Sequence, residues 1–361
     1  MGAPVAVLCS FRLGGTDGVS IEAAKWEWAL GEIGFTTRRV AGELSDGLRP
    51  DDVWIPFLAI DPVPGARPEE DVLAAALAGA DLVVVENLCS LPLNEPASAT
   101  AADVLDRHTG RVLFHHHDLP WERPHLARLG DAFPPRRPRS LHVTINDQAR
   151  VALEARGFDA VTIRNAFDLV PLPGDRRTTR EHFEFDQLDT VVVQPTRAIA
   201  RKDIPRAVRF TEQLAGALQG TVRLWITGPA EDGYGPELER ILARAAIPVT
   251  VGRAPRAEDA YAASDAVVFP SSWEGFGNPV IESVVARRPL ATAHYPVLDE
   301  LLALGFRFFS VDEPGTLASW LQQPDATQLE ENLVITHTHF DLRDLPARIA
   351  AACATVGWDE W

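Results

Sequence analysis

The chain writes its hydrophobicity twice in one pattern, and that pattern limits the folds open to it. Short apolar runs alternate with stretches of helical period, first across residues 5–163 and again across 190–303. Apolar strands separated by helices are buried in parallel sheets with helices on both faces. The first set predicts strands at 5–9, 81–86, 111–115, 141–145 and 160–163, with helices near 19–34, 69–78, 97–108 and 147–156. The second predicts strands at 190–193, 222–227, 249–251, 265–269 and 289–292, with helices near 204–218, 236–245, 279–286 and 296–303. Between them, residues 171–190 are rich in Pro, Asp and Arg and lose periodicity. The expectation is an α/β chain of two Rossmann-like doubly wound domains, 1–170 and 171–341, facing across a cleft. Ligands in such sheets bind beyond the carboxyl ends of the strands.

One such end carries the densest signal: Pro270-Ser271-Ser272-Trp273-Glu274-Gly275-Phe276-Gly277-Asn278-Pro279-Val280-Ile281-Glu282. It reads as the end of a buried strand, a tight turn and the first turns of a helix. Gly275 and Gly277 permit close backbone approach or positive φ, and Pro279 suits the first helical position. Backbone amides at the helix start favour an anion, most naturally a phosphate. Glu274 and Glu282 bracket the turn; an acid beside an anion pocket is suited to sugar or ribose hydroxyls. The alternative is an ordinary strand-to-helix connection with two solvated glutamates.

Composition narrows the partners. Acidic residues outnumber basic ones 51 to 34, a formal charge of −17, which argues against nucleic acid. Three widely spaced cysteines, Cys9, Cys89 and Cys353, form no complete disulfide framework. No charged segment precedes an apolar one at the N-terminus, and no apolar run approaches the roughly 20 residues of a membrane span. The expectation is a cytoplasmic protein, not integral to a membrane.

Other loops after strands add candidates. Ser10 to Ser20 includes Gly14 and Gly15, a close-approach turn or merely a turn, with Thr16 and Asp17 undecided. The run His115-His116-His117-Asp118-Leu119-Pro120-Trp121-Glu122-Arg123 invites a metal reading. Consecutive side chains at a strand end alternate in direction, however, so three rarely converge on one ion, and no Glu or Cys at helical spacing backs them. Histidines hydrogen-bonded at a sheet end, or a ligand-facing imidazole oriented by Asp118, are the other readings. Gln194 to Asp203 places Arg197, Arg201 and Lys202 between a strand and a helix, either as solvated charge or as cations for a leaving diphosphate. Thr227-Gly228 and Gly252-Arg253 follow two further strands, and the Pro134 to Arg139 run reads as a solvated basic loop.

Glu274-Gly-Phe-Gly-Asn-Pro-Val-Ile-Glu282 resembles the E-x7-E signature of retaining, nucleotide-sugar-dependent glycosyltransferases of family 4, which have the GT-B fold. The resemblance implies that Glu274 lies near the donor sugar, that Glu282 holds the ribose, and that the backbone of Gly275, Phe276, Gly277 and Asn278 takes the diphosphate. Arg197 and Lys202 match the Arg and Lys of the family's Gly-Arg-…-Lys-Gly motif, although Thr196 and Asp203 replace its glycines. Gly14 and Gly15 look like its first-strand turn, and Thr227 and Gly228 like part of its base pocket. The histidine loop is similar to a His-Asp-x-x-Trp-Glu-Arg variant, which makes His117 the first choice for an active-site imidazole and His115 the second. Asn165 looks like the Asn of an Asn-Gly-Val-Asp segment, here followed by Ala166-Phe167. The helical stretch 342–355, in a tail running to 361, is expected to cross back to the first domain. The implied reaction moves a hexosyl unit from a UDP- or GDP-linked sugar to an unknown hydroxyl acceptor with retention of configuration. It calls for no metal or cofactor. Alternatives on the same scaffold are a nucleotide-sugar epimerase, a glycan phosphorylase or a non-catalytic sugar-nucleotide binding subunit.

Overall fold

The alternation is realised as two parallel sheets. A computed structural model describes residues 2–358; Met1 and the last three residues of the predicted 342–361 tail lie outside the described residues. The chain divides into one unit running up to Ala166 and resuming at Leu342, and a second spanning Phe167–Asp341.

The first unit holds β1 (Val5–Leu13), α1 (Gly18–Glu32), β2 (Thr36–Leu44), β3 (Val53–Trp54), α2 (Glu70–Leu77) and β4 (Leu82–Glu86). It continues through α3 (Glu95–Arg107), β5 (Arg111–His116), β6 (Ser140–Thr144), α4 (Asp147–Glu154) and β7 (Ala160–Thr162). Its sheet runs β3-β2-β1-β4-β5-β6-β7, every pair parallel. Side chains alternate across this sheet. Leu8, Leu82, Val84 and Leu113 pack on one face with Trp26 and Leu30 of α1, while Val7, Val83, Val85 and Phe114 pack on the other with Leu73 and Leu105.

The second unit begins with α5 (Arg176–His182), β8 (Thr190–Gln194), α6 (Ile204–Ala217), β9 (Val222–Ile226), α7 (Gly235–Leu242), β10 (Val249–Val251) and α8 (Ala257–Ala263). After β11 (Ala266–Phe269) come α9 (Asn278–Val285), β12 (Leu290–Thr292), α10 (Leu298–Ala303), β13 (Phe309–Ser310), α11 (Pro314–Gln322) and α12 (Thr327–His339). Its strands lie in the order β10-β9-β8-β11-β12-β13, again all parallel. Counted within each unit, both sheets begin 3-2-1-4-5-6, the doubly wound order whose switch point lies between the first and fourth strands.

Two predicted details need correction. Strands β2, β3 and β13 were not expected. Strand β2 lacks an apolar run because Arg39 sits buried in its middle, held by Asp46 at 2.7 Å and Asp52 at 2.6 Å. The supposedly aperiodic 171–190 stretch contains α5, capped by Asp175, which accepts from the Thr178 amide. That helix is anchored by charge rather than by an apolar stripe: Arg180 is fully buried and binds Asp265 at 2.7 Å, with Arg176 on the other carboxylate oxygen. The 134–139 run is a loop with Arg136, Pro138 and Arg139 exposed, as expected, although Arg137 within it donates to the carbonyls of Leu105, His108 and Gly110.

Past the second unit the chain re-enters the first as α13 (Leu345–Ala354). Leu345, Ile349 and Cys353 share a core with Trp26 and Leu30 of α1. Ile349 has no exposed surface, so Ile349→Ala should destabilise the first unit by roughly 2–5 kcal/mol. Urea unfolding followed by tryptophan fluorescence should show the earlier transition.

Candidate functional site

The second unit gathers charge at its switch point, after β8 and β11. The end of β8 leads through Gln194 into a 3-10 turn, Ala200–Lys202, and then α6. The Glu274 carboxylate is buried there between two cations: Arg201 Nη1 donates to Oε2 at 2.7 Å, and Lys202 Nζ holds Oε1. Burial works to raise the Glu274 carboxyl, but Lys202 and Arg201 outweigh it and keep it below the usual range. Burial likewise brings Lys202 down to about 8, against the upward pull of Glu274. Arg197 stands apart from this pair, half-exposed, with Nη1 on Glu231 at 2.7 Å.

Helix α9 opens directly after the Glu274 loop, with Pro279 in its first turn. Gly277 caps it at φ +93°, a left-handed conformation, and a Cβ there would lie 2.4 Å from the Tyr295 hydroxyl. That hydroxyl donates to the Phe276 carbonyl at 3.1 Å, while the Phe276 ring packs against Phe167 and Phe340. Phe276 therefore has a core side chain, and only its backbone belongs to the loop surface. Glu282, one turn into α9, accepts from the Tyr261 hydroxyl at 2.6 Å. Gly228 lets two strand ends touch, since a Cβ on it would fall 2.5 Å from the Arg197 backbone. Thr227 and Gly228 donate their amides to the carbonyls of Gln194 and Thr196.

The first unit has its own buried charge at the matching place. Glu86 closes β4 opposite His115 of β5, so both side chains, and that of His117, lie on one face of the sheet. Glu86 Oε2 accepts from His115 Nδ1 at 2.8 Å and His117 Nε2 at 2.9 Å, with no exposed surface on the carboxylate. Burial works to raise the Glu86 carboxyl, but the two imidazoles hold it at about 2. Their own shifts diverge. Burial dominates at His115 and lowers it, whereas Glu86, Glu22 and Asp118 overcome burial at His117 and raise it.

His116 points to the opposite face and joins a chain whose protons can be assigned. Ser140 Oγ donates to the Arg137 carbonyl, so it accepts from His142 Nε2. His142 Nδ1 must then accept from His116 Nε2 at 2.9 Å, and His116 Nδ1 from Ser90 Oγ at 2.6 Å. Both rings are neutral in this chain. Burial lowers His142 to about 4 and puts His116 well below its ordinary value.

Glu86, His115 and His117 bring three donor atoms within 4.8 Å, the only such group among the described residues. Two of those nitrogens already donate to the carboxylate, so a cation would have to displace both protons.

Comparison with known proteins gives this geometry a class. Residues 197–353 match the family described as glycosyl transferases group 1. Mannosylglucosylglycerate synthase of Thermotoga maritima is 27% identical, with 85% of this chain and 84% of that protein aligned. The Petrotoga mobilis enzyme of the same name is 26% identical over 84% and 86% of the two chains. The chain is a glycosyltransferase. The Anabaena protein HepE, solved with UDP-glucose, superposes with a TM-score of 0.73 at 18% identity, covering 97% of this chain and 99% of its own. Sucrose-phosphate synthase from Thermosynechococcus elongatus superposes with a TM-score of 0.76 at 15% identity, covering 98% and 99%. These structures share its fold, two Rossmann-like parallel-sheet domains of the GT-B type.

In this glycosyltransferase the sequence candidates fall into separate groups. Glu274, Lys202, Gly275, Gly277 and Asn278 come together after β8 and β11, with Arg197 earlier in the loop after β8, Thr227 and Gly228 after the neighbouring β9, and Glu282 along α9. Gly14 and Gly15 follow β1, with Gly14 against the Asp46 carboxylate. Asp17 caps α1 and pairs with Arg12 at 3.1 Å. Asp118 does not orient an imidazole as expected; it pairs with Arg123 at 3.2 Å. Its distance from Glu86 in sequence hid the true partner, whose one signal is a carboxylate ending an apolar run. Cys9 lies within β1 rather than at its end, and burial raises its thiol to about 12. No helix among the described residues is long and apolar enough to cross a membrane.

The histidine chain makes a pH prediction. Unfolded imidazoles take protons below about 6.5, while His142 resists until about 4. Stability should therefore rise with pH between those values, by at most about 1.4 kcal/mol per pH unit from this residue. Urea midpoints at pH 5 and pH 7 should show it, and His142→Phe should flatten the slope. The comparison isolates His142 from His117, whose raised value acts in the opposite direction, contributing stability that is lost as pH rises.

Proposed function

We propose that this chain is a retaining family 4 glycosyltransferase that moves a hexosyl unit from a UDP- or GDP-linked sugar to a hydroxyl acceptor. The observation that carries the reading is the buried Glu274, held by Arg201 and Lys202 immediately before the amide-rich start of α9. Glu274 and Glu282 are then the two carboxylates of the E-x7-E motif. A nucleoside diphosphate leaving its sugar develops negative charge, and cations fixed in advance stabilise it without reorganisation. In this assignment Lys202 and Arg197 take the diphosphate with the α9 amides, and Glu274 meets the sugar. Glu282, steadied by Tyr261, holds the ribose, and Thr227 and Gly228 border the base.

On the first unit we assign His117, with His115 behind it, to the sugar, and Gly14 and Gly15 to the phosphates and acceptor. Departing phosphate oxygens help deprotonate the acceptor hydroxyl, so no opposite-face base is assigned. Side chains and amides supply the positive charge, and we propose transfer without a metal or cofactor. The relatives' name makes a mannosyl donor and glucosylglycerate the first pair to test. Three buried free thiols support a reducing, cytoplasmic setting.

A thermal-shift series against UDP-, GDP- and ADP-hexoses should raise the melting temperature for the true donor, and flat curves for all of them would remove the reading. Alanine at Lys202 or Arg197 should lower kcat by roughly 10²–10³ in folded protein, Lys202→Ala also costing stability because it strands the buried Glu274; near-normal rates would end the assigned roles. Tyr261→Phe should raise the donor KM roughly tenfold with kcat little changed, because it loosens a binding carboxylate.

A further inference from the structure

Glu86 is an expensive residue. It ends the column Leu82-Val84-Glu86, whose first two members are core, and its carboxylate is removed from water entirely. Taking a carboxylate into a protein interior costs several kcal/mol unless donors answer it. Here the donors are two imidazoles from one neighbouring strand, both bound to the same oxygen, Oε2. The second oxygen, Oε1, has no hydrogen-bond partner. An unpaired buried oxygen costs free energy that the Leu or Val preceding it in the column would not.

The two imidazoles are not equivalent. His115 is deeper, 1% exposed, and its ring lies against Trp26 with centroids 4.2 Å apart. His117 lies outside it, beyond the end of β5, and reaches the surface at 7% exposure. Its backbone is fixed as well: Asn87 Oδ1 accepts from the amides of both His117 and Asp118, and Asn87 adopts φ +60° to do so. The strand end, the loop backbone and the Nε2 edge of the ring are thus all held from β4.

We propose that Glu86 is a positioning residue for glycosyl transfer, one that fixes the His117 ring by its Nε2–H and reserves Nδ1 for the bound sugar. The inference rests on the reading that His117 meets the donor sugar and names the group that makes it able to. His117 is faced by Glu86 from β4, by Glu22 from α1, by Asp118 from its own loop and by the His115 ring at 4.4 Å. Lys25 pairs with Glu22, and Arg123 with Asp118. Within that set Glu86 alone has no Lys or Arg partner, only the two imidazoles, which supports a protonated ring and so a second N–H donor at Nδ1. Glu22 and Asp118 are each answered by their own cation; Glu86 is not.

The test separates sugar from nucleotide. Binding of UDP, UDP-glucose, GDP and GDP-mannose to the full-length protein is measured by calorimetry from pH 5.5 to 8.5. Comparison is with Glu86→Gln, and with His117→Gln as a second variant at the less buried end of the cluster. The native protein should gain affinity from the sugar, and lose that increment as pH rises. Both variants should bind the bare diphosphate within twofold of native while losing tenfold or more of the sugar increment together with its pH dependence. Folded Glu86→Gln with the native sugar increment and pH profile overturns the proposal. Should Glu86→Gln not fold, a native profile in His117→Gln overturns it equally. If neither nucleotide sugar binds the native protein, the donor reading fails and this inference with it. Elemental analysis adds one more decision: stoichiometric metal in the native protein, absent from Glu86→Gln, would make the cluster a metal site and overturn the positioning role.

Discussion

A carboxylate withdrawn from water must be met at once by donors or cations, and each unit is arranged around one carboxylate so met. In the first unit it is Glu86, at the end of the fourth strand, and in the second it is Glu274, just after the corresponding strand. Both stand where the order of the sheet reverses, the one place where two adjacent parallel strands send their chains in opposite directions and leave a crevice. Because every strand is parallel, the loops that answer these charges emerge at the same edge. Residues far apart in sequence, such as Lys202 and Glu274, are brought together for that reason alone.

The two solutions differ in strength. Imidazoles are adjustable donors, and Glu86 leaves one of them raised and the other lowered. Glu274 is met by a guanidinium and an ammonium, each drawn toward a separate oxygen. Glu86 has both donors on one oxygen and none on Oε1, whereas each oxygen of Glu274 has its own. Breaking either set by removing one partner strands a buried charge, which costs more than the pair contributes when intact.

The sequence revealed those parts of the molecule whose physics is local. Apolar strands such as Leu82–Glu86, the Pro279 start of α9 and the acid pair eight residues apart all announce themselves within a few positions. Parts held by distant charges did not. Strand β2 carries Arg39 where an apolar residue would be expected, and only Asp46 and Asp52 make that tolerable. Helix α5 depends on Asp265, more than eighty residues later. The histidine run showed the same division. Alternation correctly separated His116 from its neighbours, but the carboxylate that unites His115 and His117 belongs to another strand.

Asp203 shows how a departure from a family pattern can preserve its geometry. The resemblance calls for glycine there, and the backbone explains why: φ is +44°, in the left-handed region. Aspartate is among the few other residues that adopt it at modest cost. Its side chain also accepts from the Arg206 amide, capping α6 in a way glycine has no atom to do. The turn before it is pinned at both cationic residues, since the Ser272 amide donates to the Arg201 carbonyl at 2.9 Å and Gln194 Nε2 to the Lys202 carbonyl at 2.8 Å. The cap on one side and these two anchors on the other fix where the positive charge stands before any ligand arrives, so the substitution retains the fixed charge that glycine's backbone freedom would otherwise serve.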